Sequence, residues 1–263
     1  MPDAPSQPWT MPEPHIPTGR VTLHQIHSDI LQNTQNICVY TPAGYSQNQE
    51  TCALLVLFAG TIYTDSLTLP TILDNLIAAG RIKPTIAVLL DSPNRGKELF
   101  FDTRFVDFLI KEMLPWLRSA YHVTAEPAKA VVGGMSLGGL MAAFVALHHP
   151  EVFGNVLSQS GSFSYGQNSP VSYSPEIDLE EEWLTHQYAT REKLSLRFYL
   201  DVGILENYRD QSQITLLRAN RHLRDVLQAR GYPVHYTEFG GGHQYFNWRN
   251  TLPDALIALL GRS

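Results

Sequence analysis

Cysteine is scarce in this chain. Of 263 residues only Cys38 and Cys52 are cysteines, too few for a disulfide framework. Cys38 lies in an apolar strand pattern and Cys52 just before another. Both read as reduced, structural thiols, which favours a reducing compartment and a cytoplasmic protein. No stretch approaches the ~18 continuous apolar residues of a membrane span, so no membrane association is expected. Charge is thin too. Charged residues make up 17% of the chain, the net charge is −6, and there is no basic run. Nucleic acid is therefore not an expected partner. Residues 1–17 are rich in proline and lack both the basic and the apolar segments of a secretory signal. They read as a loosely ordered arm over 1–18, followed by a single domain over 19–263.

What the chain does have is a succession of short apolar runs separated by helical patterns. Residues 21–28 and 37–40 read as two strands of a meander. Leu54-Leu55-Val56-Leu57-Phe58 and Ile86-Ala87-Val88-Leu89-Leu90 are unbroken apolar runs of the kind buried on both faces of a parallel sheet. A helix is expected over 70–79, ended by Gly80, and a longer one over 103–120 with Phe105, Phe108, Leu109, Trp116 and Leu117 on one face. Strands are expected at 129–132, 156–160, 196–202 and 234–239. Helices are expected at 140–147, 210–229 and 253–260. Residues 162–190 show no sheet pattern and read as an excursion or lid. Alternating strands and helices imply a mostly parallel, twisted sheet with helices on both faces.

The sharpest local signal is Gly134-Met135-Ser136-Leu137-Gly138, with Gly133 and Gly139 flanking it. A short strand precedes it and a helix follows. Such a turn strains the serine backbone and exposes its hydroxyl above the sheet. The next N–H then points where an oxyanion would form. The bland alternative is a glycine-rich turn whose serine caps the helix. The strand–turn–helix context favours the nucleophile reading, and its place after the fifth strand is that of the nucleophile in the α/β-hydrolase fold.

A serine hydroxyl needs a base, and the base needs an orienting group. In this fold the chain order is serine, acid, histidine. His243 lies in Gly240-Gly241-Gly242-His243 just past the last strand, where a glycine loop can arch back toward the turn. His222 falls in a helix and His235 in a strand, while His148 and His149 end a helix. Three carboxylates compete for the acid. Asp201 is still within its strand, Asp210 suits the first turn of the next helix, and Glu206 lies in the loop between. Glu206 is preferred on placement. The oxyanion hole is expected to use the N–H of Leu137 and a second from Thr61 or Ile62, after the third strand.

The chain also resembles a known family. The residues that carry the resemblance are Val39-Tyr40-Thr41-Pro42 with Gly44-Tyr45, Glu112-Met113-Leu114-Pro115-Trp116, the Ser136 turn, and His149-Pro150 with Phe153-Gly154. The set continues with Ser158-Gln159-Ser160-Gly161-Ser162, Val202-Gly203, Glu206-Asn207, Gly242-His243 and Trp248. This is similar to the esterase family that includes enterochelin esterases, feruloyl esterases, S-formylglutathione hydrolases and mycobacterial mycolyltransferases. The match runs from about residue 19 to the C-terminus and is nearest in character to the enterochelin esterases. The sequence departs from them in three places. No additional N-terminal domain is expected in this chain. Ala59-Gly60 replaces Asp-Gly, and Phe163-Ser164-Tyr165 stands where many relatives carry tryptophan.

The resemblance implies a serine hydrolase acting on a small-molecule carboxylic ester, without metal or organic cofactor. It favours an iron-siderophore ester as substrate. Arg95, Phe163 and Tyr165 are the candidates to bind such an anionic, aromatic molecule. Their structural alternatives are an Arg95–Glu98 ion pair and simple packing of the two rings. Rival readings are an acyltransferase sharing the same acyl-enzyme, a general carboxylesterase, and a non-catalytic binding protein of the same fold.

Overall fold

A computed structural model describes residues 8–46, 51–167, 181–207 and 214–261. Its centre is an eight-stranded sheet. β1 (Arg20–Ser28) and β2 (Asn33–Thr41) form an antiparallel ribbon. β2 in turn runs antiparallel to β4 (Thr85–Asp91). From there β3 (Ala53–Phe58), β5 (Ala130–Met135), β6 (Asn155–Gln159), β7 (Arg197–Gly203) and β8 (Val234–Phe239) are all parallel. The order is β1-β2-β4-β3-β5-β6-β7-β8, which is the α/β-hydrolase arrangement.

The apolar runs divide by the two-residue period of a strand. Leu54, Val56 and Phe58 of β3, with Ile86, Val88 and Leu90 of β4, face one layer. Ala53, Leu55 and Leu57, with Ala87 and Leu89, face the other. The first layer is filled by α3 (Thr103–Phe108), α4 (Leu114–Ala120), α5 (Leu137–His148), α6 (Trp183–Thr190) and α7 (Leu216–Ala229). The second is filled by α1 (Leu69–Ala78) and α8 (Tyr245–Leu260), which supply Ile72, Leu73, Leu76, Trp248, Leu252 and Leu256. A short α2 (Arg95–Glu98) follows β4.

Several elements differ from the sequence expectation. The helix expected over 103–120 is interrupted by a π-helical turn at Leu109–Met113. Pro115 follows directly, and its missing N–H and ring are what a regular α-helix tolerates badly. The closing helix begins at Tyr245, not near 253, and carries Pro253 inside it. The helix expected from 210 is described from Leu216, capped by the Thr215 hydroxyl accepting from Arg218 N; residues 208–213, Asp210 among them, lie outside the described residues. β6 ends one residue early, because Ser160 turns into the left-handed region at φ 49°.

The N-terminal arm was expected to be loose. From Trp9 to Met11 it is held: Asn75 Nδ2 of α1 donates to Trp9 O at 2.8 Å and to Met11 O at 2.9 Å. Of the expected lid at 162–190, residues 168–180 lie outside the described residues. Its two ends pack on the core. Tyr188 OH donates to Ala143 O at 2.8 Å, and Trp183 packs edge-on against Phe101. Among the described residues no helix is long and apolar enough to cross a membrane.

Candidate active site

Ser136 sits between β5 and α5 with φ 57° and ψ −121°, a backbone state that L-residues adopt at a cost of about 1–3 kcal/mol. The surrounding glycines make it possible. A Cβ on Gly134 would lie 2.6 Å from the carbonyl carbon of Gly138, so strand and helix can approach this closely only without it. Ser136 Oγ lies 3.3 Å from Ser162 Oγ. Both line a cavity of about 100 Å³ together with Ser164, Tyr165, Ile214, Leu216 and His243. A larger cleft of about 580 Å³ lies at the opposite edge, lined by Pro127, Gly154, Arg197 and Pro233 at the amino ends of the parallel strands. Ligands of open parallel sheets bind at the carboxyl ends, where Ser136 stands.

His243 follows β8. Its Nδ1 lies 2.7 Å from Glu206 Oε2. A carboxylate can only accept there, so Nδ1 carries the proton and Nε2 is left as the basic nitrogen. The ring packs edge-on to Trp248, 4.7 Å between centroids. The other histidines considered after Ser136 are engaged elsewhere. His148 pairs with Phe144 O, His149 with Glu151 and His222 with Glu182, while His235 stacks on Tyr199.

Glu206 is fully buried and accepts two further hydrogen bonds. Ser160 Oγ donates to its Oε1 at 2.6 Å and Gly203 N at 2.8 Å. Trp248 Nε1 donates to Ser160 Oγ at 2.8 Å. The left-handed turn at Ser160 thus ties the end of β6 to the loop after β7. Gly203 is required by the same packing, since a Cβ there would reach 2.8 Å from Glu206 Oε1. The Asp201 carboxyl makes no hydrogen bond to His243. It is fully buried on β7, with Oδ1 unpartnered among the described residues and Oδ2 near Gln159. Burial pushes its carboxyl up to about 7, opposed by hydrogen bonds from Thr251 and Gln159 and reinforced by the charge of Glu206.

Of the candidate oxyanion donors, Leu137 heads α5, where the first N–H groups have no intrahelical acceptor. Thr61 is different. Its N–H lies 3.0 Å from both oxygens of Asp91, and its hydroxyl also bonds Asp91. A donor held by a carboxylate is not available to an anion, and Ile62, the next residue, is the alternative that stays open.

Arg95 does not pair with Glu98. The Glu98 carboxylate instead accepts from Ser92 Oγ at 2.6 Å and Asn33 Nδ2 at 3.2 Å. Arg95 Nη2 donates to Met135 O at 3.2 Å, the residue before Ser136, and among the described residues no carboxylate lies within ion-pair distance of it. Burial lowers the pKa of its guanidinium. Phe163 corrects an expectation. It is 0% exposed and belongs to the core, because its ring fills the space beside Gly161; it cannot touch a ligand in this state. Tyr165 does line the cavity and packs edge-on to Phe100. Ser160, Ser162 and Trp248 were present in the sequence motifs but carried no assigned role. The cue to the two serines was a hydroxyl-rich run at the end of a strand.

Comparison with known proteins identifies the family and the fold. The family model described as "Putative esterase" matches residues 28–259. The iron(III) enterobactin esterase of Escherichia coli K12 is 28% identical over 267 residues, covering 98% of this chain and 62% of its own length. The crystal structure of the enterobactin esterase from Shigella flexneri superposes with a TM-score of 0.83 at 29% identity, over 98% of this chain and 63% of that one. A ferulic acid esterase shares the fold at a TM-score of 0.77 and 18% identity, covering 92% of this chain and 98% of its own. The chain therefore spans about three fifths of the length of the enterobactin esterases it matches.

Proposed function

The chain belongs to this esterase family, and from that premise we propose a serine hydrolase that cleaves carboxylic esters through an acyl-enzyme. The observation that carries the reading is the buried Glu206 bound to His243 Nδ1 at 2.7 Å, with His243 and Ser136 on one cavity. Ser136 Oγ attacks the ester carbonyl and gives its proton to His243 Nε2. Glu206 holds the ring in the required tautomer and stabilises the imidazolium that forms. The N–H groups of Leu137 and Ile62 stabilise the oxyanion. His243 then protonates the leaving alcohol, and a water completes the cycle. This chemistry needs no metal or organic cofactor.

For the substrate we propose an anionic aromatic ester of the iron-siderophore type. Arg95, beside the Ser136 turn and without a carboxylate partner among the described residues, and Tyr165 at the cavity are the groups that suit it. The names of the E. coli and Shigella relatives point the same way. Cys38 and Cys52 form no disulfide, which fits a cytoplasmic site of action.

Two experiments test the proposal. The purified protein should release p-nitrophenol from short acyl esters and be labelled by a fluorophosphonate at Ser136, with both signals lost in Ser136→Ala. Wild-type turnover in that variant would exclude the serine mechanism, and a wild type that never labels would favour a binding protein. A competitive panel of ferric enterobactin, methyl ferulate, S-formylglutathione and short acyl esters tests the substrate. Rates on ferric enterobactin no better than on simple esters would remove the siderophore assignment.

A further inference from the structure

The cavity of Ser136 is also lined by two buried serines, Ser162 and Ser164, that the scheme above leaves unused, and of these Ser162 reaches Ser136. Ser162 is 4% exposed and lines the cavity with His243. Its position is set by main chain. Ser162 N donates to Ser136 O at 3.1 Å, and the carbonyl of the preceding Gly161 accepts from Asn220 Nδ2 at 2.8 Å. With its backbone fixed in this way, Ser162 Oγ stands 3.3 Å from Ser136 Oγ.

Deacylation makes a specific demand on such a place. The attacking water must give one proton toward His243 Nε2 while its oxygen faces the acyl carbon, which is one bond from Ser136 Oγ. A water held by His243 alone can swing about that one hydrogen bond. A water has a second proton, and a hydroxyl oxygen can accept it. An alcohol has one proton only, so it cannot bond both groups as a donor.

On the reading that the protein is a serine ester hydrolase, we propose that Ser162 Oγ is the second anchor of the deacylating water and biases the acyl-enzyme toward hydrolysis over acyl transfer. In the step, the water oxygen bonds to the acyl carbon and its proton passes to His243 Nε2. The carbon–Oγ bond of Ser136 then breaks, Oγ recovers the proton from His243, and the carboxylic acid leaves. Before acylation the Ser136 and Ser162 hydroxyls share one hydrogen bond in which either oxygen can donate. Acylation takes the Ser136 proton and leaves a lone pair of Ser162 Oγ to accept from the water.

The test is stopped-flow hydrolysis of p-nitrophenyl butyrate by wild type and Ser162→Ala, with and without methanol. The variant should keep its acylation rate within about threefold, lose about tenfold or more in steady-state turnover, and so show a burst near one p-nitrophenol per Ser136. The ratio of methyl ester to free acid formed in methanol should rise about tenfold. Ser162→Thr, which retains the hydroxyl, should restore both. Should Ser162→Ala not fold, Ser162→Cys carries the same measurement, since it leaves no cavity and its thiol bonds only weakly. Acylation and turnover falling together, with the methanol ratio unchanged, would overturn the proposal, as would a variant identical to wild type. A wild type that is not labelled at Ser136 is a separate result and sinks the serine hydrolase reading itself.

Discussion

Replacing Glu206 by glutamine changes one atom of a fully buried group that accepts three hydrogen bonds. Glutamine offers one acceptor oxygen and one NH2. With the oxygen toward His243, the NH2 faces Gly203 N–H, a donor against a donor. With the NH2 toward His243, the imidazole must shift its proton to Nε2 to accept, and the base is gone. The first orientation keeps the tautomer but not the charge that stabilises imidazolium. The loss in kcat/KM should approach about 10⁴-fold, as for the equivalent change in serine triads. The unpaired buried donor costs about 1–3 kcal/mol, which lowers Tm by about 2–4 °C per kcal/mol in a chain of this size. Hydrolysis of p-nitrophenyl butyrate and thermal unfolding of the same sample measure both. A folded Glu206→Gln protein within tenfold of wild-type kcat/KM would refute the assignment and return the acid to Asp201 or Asp210.

Asp201→Asn should leave most of the activity, and it should alter the pH dependence of stability. The Asp201 carboxyl is raised to about 7 in the folded chain, against about 4 unfolded, so between those values the native state holds a proton that the unfolded state has released. Stability from this group is complete below about pH 4 and falls by up to about 1.4 kcal/mol per unit as pH rises toward 7. Urea midpoints should show that slope in wild type and its loss in the asparagine variant; equal slopes would contradict it. Arg95→Ala should raise KM for an anionic aryl ester by about tenfold or more while a neutral p-nitrophenyl ester changes little, and equal effects on both would remove Arg95 from substrate binding. Gly134→Ala places a methyl against the backbone of Gly138 and should cost at least about 1–3 kcal/mol with a large fall in activity. A normal melting temperature with full turnover would show that the turn can open without penalty.

Much of the fold was legible because its signals are local. Unbroken runs such as Leu54 to Phe58 fit strands buried on both faces, and a serine among glycines between strand and helix fits the backbone that Ser136 adopts. The order of Ser136, Glu206 and His243 along the chain follows from strand order alone. The helix breaks were less legible: the π-turn before Pro115 and the interior Pro253 depend on neighbouring layers that hold a helix together despite a lost hydrogen bond. Side-chain roles were decided in space. Phe163 looks like a ligand-binding aromatic in sequence, yet the close approach beside Gly161 swallows its ring. Thr61 and Ile62 are equivalent as loop residues until Asp91, 30 positions away, takes the N–H of one of them. Sequence patterning thus set the strands, the Ser136 turn and the chain order of Ser136, Glu206 and His243, because periodicity and steric limits act between neighbours. Which carboxylate meets His243, and that Ser160, Ser162 and Trp248 gather around the same site, was decided only when β6, β7 and α8 packed together, because hydrogen bonds join groups by distance in space and not by distance along the chain.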